Sequence, residues 1–225
     1  MLVERLHVGA LRPVVGALRD GDVLGALRVL LEWPGSRREL VESVVWAASA
    51  VHTPDYALVV RLARRYPEDP AVLAPLLMRR HTLAPGEALF LGAGVLHCYL
   101  DGFAVEIMAC SDNVLRAGLT GKHIDVEELL RITDAAVQPV VVEPVGGAYV
   151  PPVPEFLLRR IAPGVNETLP GGQPRIVLCT EGVVNVRTAG SEVKLRPGES
   201  VFAAASEGSV EIGGDGAGFC AEPHL

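Results

Sequence analysis

The amino-acid sequence predicts a mainly β fold with an N-terminal helical segment, its strands arranged as in a small barrel or jelly roll. Three observations carry this. Apolar residues recur at helical spacing up to about residue 79, and strand-like runs replace them from about residue 80. The 24 glycines and 17 prolines among 225 residues suit a turn-rich β fold better than a helix bundle. There is no regular helix–strand alternation of the kind a parallel α/β sheet requires.

The elements follow in order. Leu11, Val14, Val15 and Leu18 form one helical stripe, and Leu24, Leu27, Leu30 and Leu31 form a second that Pro34 ends. Ser36 and Glu39 make a capping box before the apolar face of Leu40, Val41, Val44, Val45 and Ala48. Thr53-Pro54 reads as a further helix start, with Thr as N-cap and Pro at the first helical position, and Asp69-Pro70 repeats the signal. Strand runs then alternate with Pro-Gly, Asp-Gly and Glu-Gly turns. EALFL follows Pro85-Gly86. LHCYL and FAVEIM are separated by Asp101-Gly102 alone, the strongest short hairpin signal. Asp125 and Glu128 cap a short helix ending near Arg131. RIVLC, VVNVR and ESVFAAA follow, and two short runs close the chain. Three regions result: a helical one over 1–79, a second over 80–138 with the hairpin and one short helix, and a β region over 139–225.

Composition excludes some functions. At 49% hydrophobic the chain can bury a sizeable core as one large domain or two small ones. A net charge of −7 argues against nucleic-acid binding, which needs a basic patch to offset phosphate. A small anionic substrate is not excluded, because it responds to local charge. Cys98, Cys110, Cys179 and Cys220 include no CxxC pair and read as reduced, buried thiols of a cytoplasmic protein. Glu4, Arg5 and His7 interrupt the N-terminal apolar residues, so no signal peptide is expected, and no run is long enough to span a membrane.

The hairpin concentrates chemistry. With Asp101-Gly102 as its loop, Tyr99 faces Ala104 and His97 faces Glu106, with opposed Cβ atoms ~4.5–5.5 Å apart. One face shows Leu96, Cys98, Leu100, Phe103, Val105 and Ile107. The other shows His97, Tyr99 and Glu106, with Met108 beyond. An imidazole, a phenol and a carboxylate on one small patch suit metal binding or proton transfer; the same pattern also suits an exposed cross-strand pair. The next segment breaks at Ser111-Asp112-Asn113 and then presents Arg116 and Lys122. Arg and Lys are the side chains for gripping phosphate or stabilising an oxyanion, though a loop with two surface cations reads the same way.

Together these residues resemble one family. Residues 83–129, LAPGEALFLGAGVLHCYLDGFAVEIMACSDNVLRAGLTGKHIDVEEL, are similar to the signature stretch of the class I mannose-6-phosphate isomerases, with SDNVLRAGLT its most specific run. The preceding helices resemble that family's helical insert, and PEFLLRRI and LRPGESVF resemble its second, metal-free cupin barrel. The resemblance implies cupin or jelly-roll barrels and a cytoplasmic, zinc-dependent aldose–ketose isomerase, an intramolecular oxidoreductase interconverting mannose 6-phosphate and fructose 6-phosphate. It implies no nucleic-acid or membrane partner and fixes no oligomeric state.

Roles carry over residue by residue. The resemblance implies His97 as a zinc ligand, and Arg116 and Glu106 as catalytic groups for enediolate charge and proton transfer. It implies Tyr99, Asp112 and Lys122 as substrate-binding residues, Lys122 on the phosphate side. Gly121 stands where the family usually has Pro, and Cys98 where it has Ala; neither change removes a functional group. The family's remaining zinc ligands, a Gln-x-His pair and the Glu of a His-Lys-Pro-Glu motif, do not occur in these residues. The first barrel is therefore expected to lack its N-terminal part. The alternative reading is a catalytically inactive, truncated cupin remnant that serves as a binding or interaction module, or that needs a partner chain for its metal site.

Overall fold

The computed structural model describes residues 1–111 and 114–224. It divides into two compact units. The first takes Met1–Thr82, Leu91–Cys98 and Asn113–Gln138; the second takes Leu83–Phe90, Tyr99–Asp112 and Pro139–Leu225.

The first unit is helical. Its helices are α1 (Arg12–Arg19), α2 (Val23–Leu31), α3 (Arg37–Ser49), α4 (Pro54–Arg65) and, much later in the chain, α5 (Val126–Ile132). A 3-10 segment, Pro70–Leu77, follows α4. The starts are written in the sequence. The Asp22 carboxylate accepts from the Gly25 amide at 2.7 Å, Ser36 Oγ from Glu39 at 3.3 Å, and Asp125 from Glu128 at 3.0 Å. Thr53 holds the N-cap position of α4, but its hydroxyl makes no capping bond and is buried without a hydrogen-bond partner. That start rests on Pro54, which presets φ and removes one donor that would otherwise need a partner. The apolar stripes of α1 to α4 meet in one core around Val14, Leu30, Val44, Tyr56 and Val59, and the Tyr56 phenol donates to the Leu2 carbonyl at 2.8 Å.

The second unit is β. Strands β1 (Ala88–Phe90) and β2 (Val140–Val142) pair by themselves. The other nine are β3 (Ala148–Tyr149), β4 (Leu157–Ile161), β5 (Glu167–Leu169), β6 (Arg175–Glu181), β7 (Val184–Arg187), β8 (Glu192–Leu195), β9 (Ser200–Ala203), β10 (Val210–Gly214) and β11 (Ala217–Glu222). They form two antiparallel sheets, ordered β5-β10-β7-β8 and β3-β4-β11-β6-β9. From β4 on, the chain passes repeatedly between the sheets, as in a jelly roll. Period-2 alternation, clearest in β6 and β11, turns Val177, Cys179 and Cys220 into a core shared with Val184, Val186 and Ile212. Among the described residues neither sheet closes on itself, so the expected barrel is realised as two facing sheets. Of the four thiols, Cys179 and Cys220 are buried as expected, whereas Cys98 and Cys110 are exposed. Among the described residues no helix is long and apolar enough to cross a membrane.

One charged group sits deep in this unit. Glu222 is 7% exposed and Arg175 is 2% exposed. The carboxylate accepts from Arg175 Nε at 2.7 Å and from Arg159 Nη2 at 2.9 Å. Two guanidiniums therefore compensate one buried carboxylate at the end of β11. Replacing Glu222 with Ala strands Arg175 without its counter-charge, and such a loss costs about 3–5 kcal/mol. Urea denaturation should show that drop for Glu222→Ala; an unchanged midpoint would mean water reaches Arg175.

Candidate active site

The residues that the resemblance singles out fall on both units. His97, Arg116 and Lys122 belong to the first, and Tyr99 and Glu106 to the second. Asp112, expected beside the substrate, lies outside the described residues.

Arg116 stands in a segment that alternates without being a strand. Leu115, Ala117 and Leu119 pack against Leu27, Leu31, Ala71, Leu129 and Leu130. Arg116, between two of these anchors, is exposed. The chain then kinks: Gly118 has φ 114° and Leu119 φ 54°. A left-handed conformation costs a residue with a Cβ about 1–2 kcal/mol, so something must hold Leu119 there. Its amide donates to Asp69 Oδ2 at 2.7 Å, a charge-assisted bond. The other oxygen of that carboxylate, Oδ1, accepts from the Ala71 amide at 2.9 Å and starts the 3-10 segment. A Cβ on Gly118 would lie 2.2 Å from the Ala71 Cβ, so the loop approaches this closely only with glycine. Past the kink the Lys122 amide donates to Thr120 Oγ1 at 3.1 Å, and the Lys122 side chain is exposed.

His97 is exposed, with Nδ1 2.9 Å from the Val95 carbonyl oxygen. A carbonyl only accepts, so Nδ1 carries the proton and Nε2 presents its lone pair. That is the ring arrangement of a metal-ligating histidine. The rest of a metal site does not accompany it. Among the described residues, no group of three or more His, Cys, Asp or Glu side chains is placed to hold a metal. A catalytic zinc takes about three protein ligands, so these residues alone do not fit one.

The hairpin differs from its expectation. Asp101-Gly102 does turn, with Gly102 at φ 108° and its amide donating to Asp101 Oδ1 at 2.9 Å. Neither flanking arm is a strand. Two strands alone are marginally stable in water and need further strands or a covered face. The period-2 pattern nevertheless persists in the second arm, where Val105 and Ile107 are half-buried while Glu106 and Met108 are exposed. Tyr99 is 68% exposed and lies near enough to Glu106 for the two to interact. Partial desolvation, and then the Glu106 carboxylate, raise the phenol pKa above its ordinary value.

Sequence reasoning missed Asp69 as a site residue, because Asp-Pro signals only a helix start. A groove of about 500 Å³ beside His7, Glu42 and Trp46 holds none of the expected site residues.

No protein-family model matches the chain. Curated relatives do. Mannose-6-phosphate isomerase of Escherichia coli strain K12 is 35% identical over 228 residues, covering 93% of this chain and 58% of that protein. The enzyme of the same name from Rattus norvegicus is 39% identical over 166 residues, covering 67% of this chain and 39% of its own length. Over most of its own length the chain is thus similar to mannose-6-phosphate isomerases. Solved structures agree. Mannose 6-phosphate isomerase from Salmonella typhimurium, bound to fructose 6-phosphate and zinc, superposes with a TM-score of 0.77 at 28% identity, covering 96% of this chain and 60% of that one. Its apo form gives 0.77 at 28% identity, covering 99% and 62%. The chain thus spans about three fifths of the length of the Escherichia coli and Salmonella typhimurium enzymes and about two fifths of the rat enzyme.

The Tyr99–Glu106 pair has a pH signature. Replacing Glu106 with Gln removes the negative charge that opposes phenolate formation, so the Tyr99 midpoint should fall part of the way back towards ~10. Ultraviolet titration, with Tyr99→Phe as the blank, reads it; an unmoved midpoint would assign the whole shift to desolvation.

Proposed function

We propose that the chain serves the interconversion of mannose 6-phosphate and fructose 6-phosphate in the cytoplasm, as an aldose–ketose isomerase. The observation that carries this reading is the 35% identity to such an enzyme over 93% of the chain. The reaction moves a proton between C2 and C1 while the carbonyl passes from C1 to C2, with no net oxidation. Its high-energy species is an enediolate, so the site must supply positive charge and a proton carrier.

In this reading Arg116 stabilises the enediolate oxygen. Its exposed position between two half-buried anchors, Leu115 and Ala117, supports that role. Lys122 takes the phosphate as a point charge. Glu106 carries the proton, Tyr99 donates to a sugar hydroxyl, and Asp112 contacts the substrate. Residues 80–138 are then what this chain contributes of a catalytic barrel, and 139–225 are the metal-free second barrel. The family's metal is zinc, a Lewis acid that polarises the sugar oxygens when bound. His97, with Nε2 free, is suited to be one ligand; the other donors come from beyond the described residues.

Among the described residues no group of three or more His, Cys, Asp or Glu side chains is placed to hold a metal, and a second reading starts from that observation. The chain then binds sugar phosphate without turning it over, or takes its missing ligands from a partner chain. A coupled assay from mannose 6-phosphate with zinc supplied separates the two. The first reading expects fructose 6-phosphate to form and chelator to stop it. It also expects Arg116→Ala to lower turnover by about 10²-fold or more with the fold intact. Soluble, folded chain that binds fructose 6-phosphate without turnover would establish the second.

A further inference from the structure

We infer that Asp69 is a positioning residue for the sugar-phosphate site, acting through the 114–122 loop; this rests on the roles proposed for Arg116 and Lys122. The carboxylate divides its two oxygens between two backbone donors. Oδ1 takes the Ala71 amide at 2.9 Å, and Oδ2 takes the Leu119 amide at 2.7 Å. A cap needs only the first of these bonds. The second reaches fifty residues along the chain to Leu119, a residue with a Cβ held at φ 54°.

The geometry explains why the residue is Asp. Both partners are N–H donors, so both side-chain atoms must accept. Asn at this position would keep one acceptor and turn its NH2 against the other amide, leaving two donors face to face. The Asp69→Asn variant would still start the 3-10 segment, since Asn caps as well as Asp, but it would release the loop. The neighbouring contact works in the same direction. Gly118 lies flush on Ala71, where a Cβ would come within 2.2 Å of the Ala71 Cβ. Asp69 and Ala71 thus fix the kink from below, while Leu115 and Ala117 anchor the chain before it. Arg116 and Lys122 lie on either side of the kink. Their spacing is set by the kink, and neither has a side-chain partner that would set it otherwise among the described bonds.

The test uses the full chain and fructose 6-phosphate as the probe, with calorimetric affinity, amide exchange at Leu119 and far-ultraviolet circular dichroism as readouts. Asp69→Asn should keep the helical spectrum, speed exchange at Leu119, and weaken binding about tenfold. Because Asp69 acts through the two loop cations, adding Asp69→Asn to a chain that already carries Arg116→Ala and Lys122→Ala should cost little further affinity, a non-additivity that a merely structural role would not produce. If Asp69→Asn does not fold, Gly118→Ala displaces the same kink from the loop side with the cap intact and should show the same loss. Faster exchange at Leu119 with unchanged affinity overturns the inference, as does full additivity with the Arg116→Ala, Lys122→Ala pair. No binding by the unaltered chain overturns the proposed function itself, and the positioning role with it.

Discussion

A backbone that leaves regular structure must still find a partner for each amide it buries, and in the 114–122 loop that demand falls on the single carboxylate of Asp69. The bond does more than satisfy a donor. It holds Leu119 in a conformation that L-residues avoid, and it does so against a glycine packed on Ala71. Strain of this kind persists only where surrounding contacts over-determine it. Here three contacts converge: the carboxylate, the Gly118–Ala71 approach, and the insertion of Leu115, Ala117 and Leu119 into the helical core. A loop held in this way fixes the backbone positions from which Arg116 and Lys122 project.

The two units meet their burial requirement differently. The helical unit fills one core from stripes on successive helices. The β unit faces two sheets across a shared core, with a compensated Glu222 at the end of β11. Regions without such cover behave as the physics of sheets predicts. β1 and β2 form a sheet of two strands, with Val140 and Val141 about half exposed. The arms around Asp101-Gly102 keep the turn and part of the alternation yet form no strand, and Phe103 is 86% exposed. Turn chemistry is local and survives by itself; a ladder needs neighbours.

That contrast sets what could be read from the sequence. Capping residues such as Ser36 and Asp125, the strands from RIVLC to the last run, and the short helix after Asp125 were legible because each depends on residues a few positions apart. The pairing of His97 with Glu106 was not, because it presumed a ladder that the arms do not form. Thr53 misled through its residue type: the position is an N-cap, but the hydroxyl does no capping. Asp69 misled in the opposite way. Its sequence context announces one bond, and the second goes to a residue whose proximity exists only in the folded unit.

A phosphate grip and a metal centre make different demands on a chain. A phosphate is held by a few donors and cations, and one well-anchored loop can supply them. A surface of net charge −7 does not prevent this, because charges beyond about 8 Å are largely screened at physiological salt. Zinc needs about three ligands in tetrahedral order, and of the site residues that the resemblance implies only His97 is a histidine with its ring set by a backbone carbonyl, that of Val95. The loop carrying Arg116 and Lys122 is anchored wholly within the helical unit. On the proposed function, the phosphate grip then depends on that loop's geometry and turnover on the metal's remaining donors, so the reading makes affinity and turnover separable.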